Sequence, residues 1–163
     1  MKKRLCAVLA MLVLCAVMLT GCGSDGAKVD AVDPDALIGQ MQEASVLPAM
    51  LSIRSGDERA ERGFAAISTL AYDKVDSFGL LYAADGSAYE LAVIRLKDAA
   101  DSKALEDSLR AHIDSRVQTY RNYDPTQVSR AGSAVVAVHG SYAALIMCDD
   151  SAAVKAVFDK AFG

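Results

Sequence analysis

The sequence predicts an α+β domain: a mostly antiparallel four-stranded sheet made from two hairpins, with helices packed mainly on one face. Three observations carry this. Two pairs of apolar runs are each joined by a tight turn, at Asp85-Gly86 and at Gly140-Ser141, which is the pattern of β-hairpins. Between the two pairs lies a long segment whose apolar residues recur at helical spacing. Strands therefore arrive as neighbouring pairs and do not alternate singly with helices, which selects α+β over a parallel α/β sheet. The 163 residues suit one such domain with a real core.

The first 21 residues stand apart from this domain. Lys2, Lys3 and Arg4 form a cationic tip, and Leu5 to Leu19 holds no charge over 15 residues. A bilayer-spanning helix needs about 20 apolar residues. The shorter run, followed by small residues, is the pattern of an export signal, with the cationic tip on the cytoplasmic side. Leu19-Thr20-Gly21-Cys22 then closely resembles the lipobox of bacterial lipoproteins. That resemblance implies cleavage between Gly21 and Cys22 and a diacylglyceryl group on the Cys22 thiol. Two acyl chains suit stable anchoring, because one alone holds only marginally. The expected location is the outer, extracytoplasmic face of the cell membrane, with the membrane itself a partner through Cys22. Residues 22–33, rich in Gly, Ser and Asp, read as a flexible tether, and 34–163 as the domain.

Charge and cysteine usage narrow the function classes. The net charge is −4; loss of a signal carrying three cations and no anion makes it −7. An acidic domain is poorly matched to nucleic acid, whose binding relies on Lys and Arg contacts to phosphate. Cys6 and Cys15 leave with the signal and Cys22 carries lipid, so Cys148 is left without a disulfide partner. At the end of an apolar run it reads as a small buried hydrophobe.

The domain elements follow in order. Asp33-Pro34 is a helix start, with Asp as N-cap and Pro at the first helical position; Leu37, Ile38 and Met41 form its apolar stripe. Residues 46–53 are apolar and too short to assign as strand or helix. Ser55-Gly56-Asp57-Glu58 has capping-box spacing, and Ala60, Phe64, Ile67 and Ala71 follow at helical intervals. Glu58, Arg59, Glu61 and Arg62 read as a solvated face. Gly63 weakens that helix by about 1 kcal/mol relative to Ala.

The first hairpin covers 75–84 and 88–97. Phe78, Leu80 and Tyr82 alternate on one face of its first strand, whereas Leu91 to Ile94 are apolar without a break. That marks an inner strand covered on both faces. Glu90 at its start is a carboxylate that needs solvent or a partner. Asp98 and Asp101 open the long helix, which carries Leu105, Leu109, Ile113, Val117 and Tyr120 inward. Glu106 with Arg110, and Arg110 with Asp114, are spaced for ion pairing. Asp124 caps a short turn in which Gln127 reaches back. The second hairpin covers 133–139 and 142–148. Asp149-Asp150 caps a last helix lined by Val154, Val157, Phe158, Ala161 and Phe162.

From about Ser87 to Phe162 this pattern resembles a family of small bacterial lipoproteins known as domain of unknown function 4358. The residues concerned are Tyr89 to Asp98, the long charged helix ending in Tyr123-Asp124-Pro125, Val135 to His139, Gly140-Ser141-Tyr142, and Ala143 to Asp150. The resemblance implies an exported lipoprotein with an α+β domain. It carries over no catalytic, binding, metal or cofactor residue.

The residues themselves offer little chemistry. His112 and His139 lack the spacing of the usual zinc motifs, so no metal or cofactor is expected. His139 is placed to converge with Asp149 and Asp150, although turn and cap roles account for all three. Ser133, Ser141 and Ser151 have no nucleophile elbow around them. Glu90 reads more readily as a structural ion pair than as half of a catalytic acid pair. Tyr82, Tyr89, Tyr120, Tyr123 and Tyr142 line a surface if they meet, since Tyr joins apolar area to a polar tip. The expectation is a membrane-anchored, non-enzymatic binding or interaction module, its partner an envelope protein. The alternative is a small-ligand receptor or enzyme with a site near Glu90, His139 and the tyrosines. A third reading is a lipoprotein that only occupies the envelope surface.

Overall fold

Five strands and five α-helices succeed one another along residues 31–163, the part of the chain that this computed structural model describes. The expected export signal over 1–21, with Gly21 and Cys22, lies outside the described residues, as does the expected tether up to residue 30. Helix α1 spans Pro34–Glu43, β1 Met50–Arg54 and α2 Ala60–Ile67. Strands β2 (Val75–Ala83) and β3 (Glu90–Leu96) precede the long helix α3 (Ser102–Tyr123). A single-turn helix α4 (Val128–Gly132) leads into β4 (Val135–His139) and β5 (Tyr142–Met147), and α5 (Ser151–Lys160) closes the order.

The strands form one antiparallel sheet in the order β1-β2-β3-β5-β4. Both hairpins form where the sequence places them. Gly86 (φ 78°) and Gly140 (φ 57°) take the left-handed conformations their turns need. The Asp85 carboxylate accepts from the backbone N–H of Ser87 at 2.9 Å and so stiffens the first turn.

The sheet has five strands and not the expected four. The extra one, β1, comes out of the ambiguous apolar run at 46–53 and pairs with β2 from Met50 opposite Ala83 to Arg54 opposite Gly79. It is an edge strand: Ile53 points into the core while Leu51 is 48% exposed. Its apolar content therefore does not track its burial, and no tight turn joins it to its partner.

The helices also cover both faces of the sheet, not mainly one. Leu91 and Val93 of β3 face α1 and α5, where Leu37, Ile38, Met41, Val154 and Phe158 are buried. Ala92 and Ile94 face the other way, against Phe64 and Ile67 of α2 and Leu105, Leu109 and Ile113 of α3. Every β3 residue except Arg95 is buried. A strand apolar on both sides cannot leave either side in water, because each buried Leu or Ile is worth about 1.5–3 kcal/mol relative to exposure.

The caps divide into those that form and those that do not. Asp33 accepts from the N–H of Asp35 at 3.0 Å, and Asp124 from Thr126 at 3.1 Å. The Ser55–Glu58 capping box does not form: α2 begins later, at Ala60, without a side-chain cap. Ser55 Oγ instead accepts from the N–H of Phe78 at 2.5 Å, and Asp57 accepts from that of Arg54 at 2.8 Å. Both residues thus tie the end of β1 rather than the start of a helix. Asp150 likewise makes no side-chain cap on α5. Gly63 has a reason beyond helix propensity, since a Cβ there would lie 2.8 Å from Ile53. Its absence lets α2 lie close on β1.

Candidate functional site

Glu90 opens β3 with its side chain on the α2–α3 face, and it is only 6% exposed. A buried carboxylate is costly unless paired. The pairing comes from α3, where His112 and Arg116 stand four residues apart and therefore on one side of the helix. His112 Nε2 lies 2.9 Å from Glu90 Oε2, and Arg116 Nε lies 3.9 Å from the same oxygen. The Arg116 guanidinium lies over the Tyr120 ring, 4.7 Å from its centroid, and donates to the Tyr120 hydroxyl at 2.5 Å. That hydroxyl donates in turn to the Gly86 carbonyl at 2.8 Å. Burial pushes the Tyr120 hydroxyl above the ordinary tyrosine range, while the Arg116 charge pulls the other way. The network thus joins the long helix to Gly86 in the turn and to Glu90 at the start of β3.

Beside this network a cleft of about 410 Å³ opens between α2 and α3 over the sheet. Its apolar wall comprises Ile53, Leu80, Ala66 and Ile67, with the ring of Tyr82 beside them. Its polar side comprises Glu90, His112 and Arg116, joined by Arg59 and Arg62 from the start of α2. Among the described residues neither Arg59 nor Arg62 forms an ion pair. Arg116 Nε is buried and makes no hydrogen bond. A smaller recess of about 200 Å³ adjoins across Ala66, Ile67 and His112, with Ser68, Thr69, Ser108 and Ser115 around it.

The remaining sequence candidates are dispersed. His139 points to the opposite face of the sheet from Glu90. There it lies 3.2 Å from Asp159 and stacks on Phe162 with ring centroids 5.1 Å apart. It converges with neither Asp149 nor Asp150. Asp149 accepts from the Tyr89 hydroxyl at 2.6 Å and from Arg130 Nε at 2.8 Å. Those two bonds, the Arg130 one foremost, hold its carboxyl below the ordinary range. Of the tyrosines, only Tyr82 lines the cleft and Tyr120 supports it. Tyr142 packs on Phe162, and Tyr123 is 82% exposed. Cys148 is fully buried, and that burial raises its thiol pKa. Among the described residues no three His, Cys, Asp or Glu side chains are grouped to hold a metal ion. No helix among them is long and apolar enough to cross a membrane.

Sequence reading singles out Glu90 but not its partners. The available signal was the spacing of His112 and Arg116 along α3, flanking the inward stripe at Ile113. Arg59 and Arg62 carried none, because charges at a helix start look the same whether they face water or a cleft.

Fold and cleft together define a small α+β domain with a five-stranded antiparallel sheet and one arginine-lined depression on its α2–α3 face. The chain belongs to the family described as Domain of unknown function (DUF4358), which it matches over residues 61–148, just over half its length. That stretch contains most of the cleft, including Arg62, Glu90, His112 and Arg116, but not β1. No curated protein and no solved structure matches the chain.

Proposed function

We propose that this protein is a membrane-anchored, extracytoplasmic lipoprotein that binds a small ligand in the α2–α3 cleft and catalyses no reaction on it. The anchor rests on the cationic tip, the apolar run and the lipobox-like Leu19-Thr20-Gly21-Cys22. The observation that carries the binding role is the cleft. Its volume falls in the range of ligand pockets, and it joins an apolar wall to a few convergent polar groups. Glu90 and His112 are close enough to exchange a proton, but no metal-ligand set accompanies them among the described residues, and the Ser68, Thr69 and Ser108 hydroxyls of the adjoining recess bond to one another and not to His112. A protein partner outside the membrane is the second reading, favoured by the outer edge of β1, which has no strand beside it among the described residues.

Two substitutions test the two halves. Cys22→Ser is expected to abolish acylation and release the protein from the membrane; unchanged retention would remove the anchor. Ala66 is exposed at the cleft, so Ala66→Trp should fill the cleft without disturbing the core. Compounds that raise the melting temperature of the wild-type chain should leave that of Ala66→Trp unmoved. Equal shifts in both chains would place binding elsewhere and overturn the cleft.

A further inference from the structure

We infer that the cleft selects an anion with an apolar body: a carboxylate- or phosphate-type head group held at Arg116, and a hydrocarbon or aromatic body along Ile53 and Leu80. This rests on the cleft being a ligand site and names the class of ligand it takes.

Charge is the first argument. The chain as a whole carries a net charge of −4, yet the cleft gathers three arginines and one carboxylate. One oxygen of that carboxylate is already engaged, with His112 and Arg116 both directed at Oε2. A cationic ligand would meet three like charges against a single carboxylate, one oxygen of which is taken. An anion would meet three guanidinium groups, which give the strongest class of hydrogen bond to carboxylate and phosphate.

Unsatisfied donors are the second argument. Buried polar atoms in folded proteins nearly always find a partner. Arg116 Nε is buried and faces Glu90 Oε2 from 3.9 Å, too far for a hydrogen bond, while Nη2 of the same guanidinium donates to Tyr120. The group is therefore held in one orientation, and among the described residues its Nη1 makes no hydrogen bond and is left for a head group. Arg59, which precedes α2, and Arg62 in its first turn both line the cleft, and neither is drawn into an ion pair among the described residues. Both are exposed and can close over a head group from the rim.

The apolar wall is the third argument. Ile53 and Leu80 are core residues, 8% and 3% exposed, yet both reach the cleft. A bare inorganic anion would leave that wall wet; a ligand with an apolar body would cover it. The same head-group chemistry occurs on a soluble organic acid or phosphate ester and on an anionic lipid, and the test separates the two.

The full chain, held in phosphatidylcholine nanodiscs, is titrated calorimetrically with naphthyl phosphate, naphthol and naphthylmethylammonium. Naphthyl phosphate should bind once per chain and about tenfold or more tighter than the other two, the effect of one charge-assisted bond. Arg116→Gln should weaken it by about tenfold or more. Arg59→Gln with Arg62→Gln should also weaken it, and because both side chains are exposed this variant has no core to lose. Arg95→Gln, whose partner Asp76 lies away from the cleft, should leave binding unchanged. Adding phosphatidic acid to the discs should lower the apparent affinity if a lipid head group is the natural occupant, and leave it unchanged if the occupant is soluble. Equal or tighter binding of naphthylmethylammonium or naphthol, blocked by Ala66→Trp, would overturn the anion and leave the cleft standing. Binding of none of the three probes would overturn the anion; if no compound then gives an Ala66-dependent melting shift, the cleft falls with it.

Discussion

The two faces of the sheet differ in how completely they are covered. On one, α1 and α5 lie over β2, β3, β5 and β4 above a buried apolar cluster, at whose margin Asp35 Oδ1 and Ser45 Oγ are buried without a hydrogen-bond partner. On the other, an eight-residue α2 and a 22-residue α3 share the cover. They leave the cleft between them, with a buried carboxylate beside it. The lesson is physical. A filled face spends most of its residues on packing, and its ion pairs sit at the rim. An incompletely filled face must satisfy the polar groups it buries, and that requirement places Glu90, His112 and Arg116 where a ligand can reach them.

The largest effect that tests this contrast should come from the filled face. Phe158 is fully buried against Ala137, Ala144 and Ile146. Phe158→Ala should cost about 3–5 kcal/mol in denaturant unfolding and leave cleft binding intact at temperatures where the variant is folded. Tyr82→Ala, from the half-buried wall of the cleft, should cost less stability and more affinity. If the two variants lost stability and affinity in equal measure, the faces would not be separable.

The buried pair on the cleft face gives the next effect. His112→Leu strips Glu90 of its nearest partner and should cost about 3 kcal/mol, since removing one member of a buried pair leaves the other uncompensated. Glu90→Leu combined with His112→Leu removes both polar partners. Such replacements are often neutral or stabilising, so the double variant should recover most of the loss by thermal or denaturant unfolding. Affinity should not recover with it, because Arg116 loses the carboxylate whose charge helps to aim it. Recovery of both would make the pair a packing device and no part of the site.

How far each face was legible follows from the same contrast. The filled face declared itself: the stripe Leu37, Ile38, Met41, the cap at Asp33 and the unbroken run Leu91 to Ile94 are local patterns, and local patterns survive without coordinates. That unbroken run also implied cover on both faces, which a one-sided arrangement of helices does not satisfy. The cleft face was harder to read. β1 pairs with β2 across α2 and carries no turn signal. The site joins residue 53 to 116 through contacts that no periodicity encodes. Glu90 stood out because a carboxylate in an apolar strand needs explaining. His139 stood out only because histidines are scarce, and its strand position put it on the other face. Arg59 and Arg62 were invisible because a surface arginine and a cleft arginine have the same sequence neighbours.

The smallest effect belongs to the rim of the filled face, and its sign is fixed. Asp149 is bound by Arg130 and Tyr89, so its carboxyl sits below the ordinary range in the folded chain. A carboxyl with a depressed folded pKa contributes stability that is fully present above its unfolded pKa. That contribution is lost as pH falls through the folded value. The pair is largely exposed on its acidic side, with the Asp149 side chain 57% accessible, so screening limits it to less than about 1 kcal/mol. Asp149→Asn should therefore lower stability slightly at neutral pH, and the gap from wild type should close on acidification below the ordinary carboxylate range. Added salt should narrow the gap at neutral pH as well. Glu90 and His112 differ here, because a pair shielded from water should respond weakly to salt. If salt moved the Glu90–His112 double variant and Asp149→Asn alike relative to wild type, the cleft pair would be as wet as the rim pair, and the division between a sealed face and an open one would fail at the residues that define it.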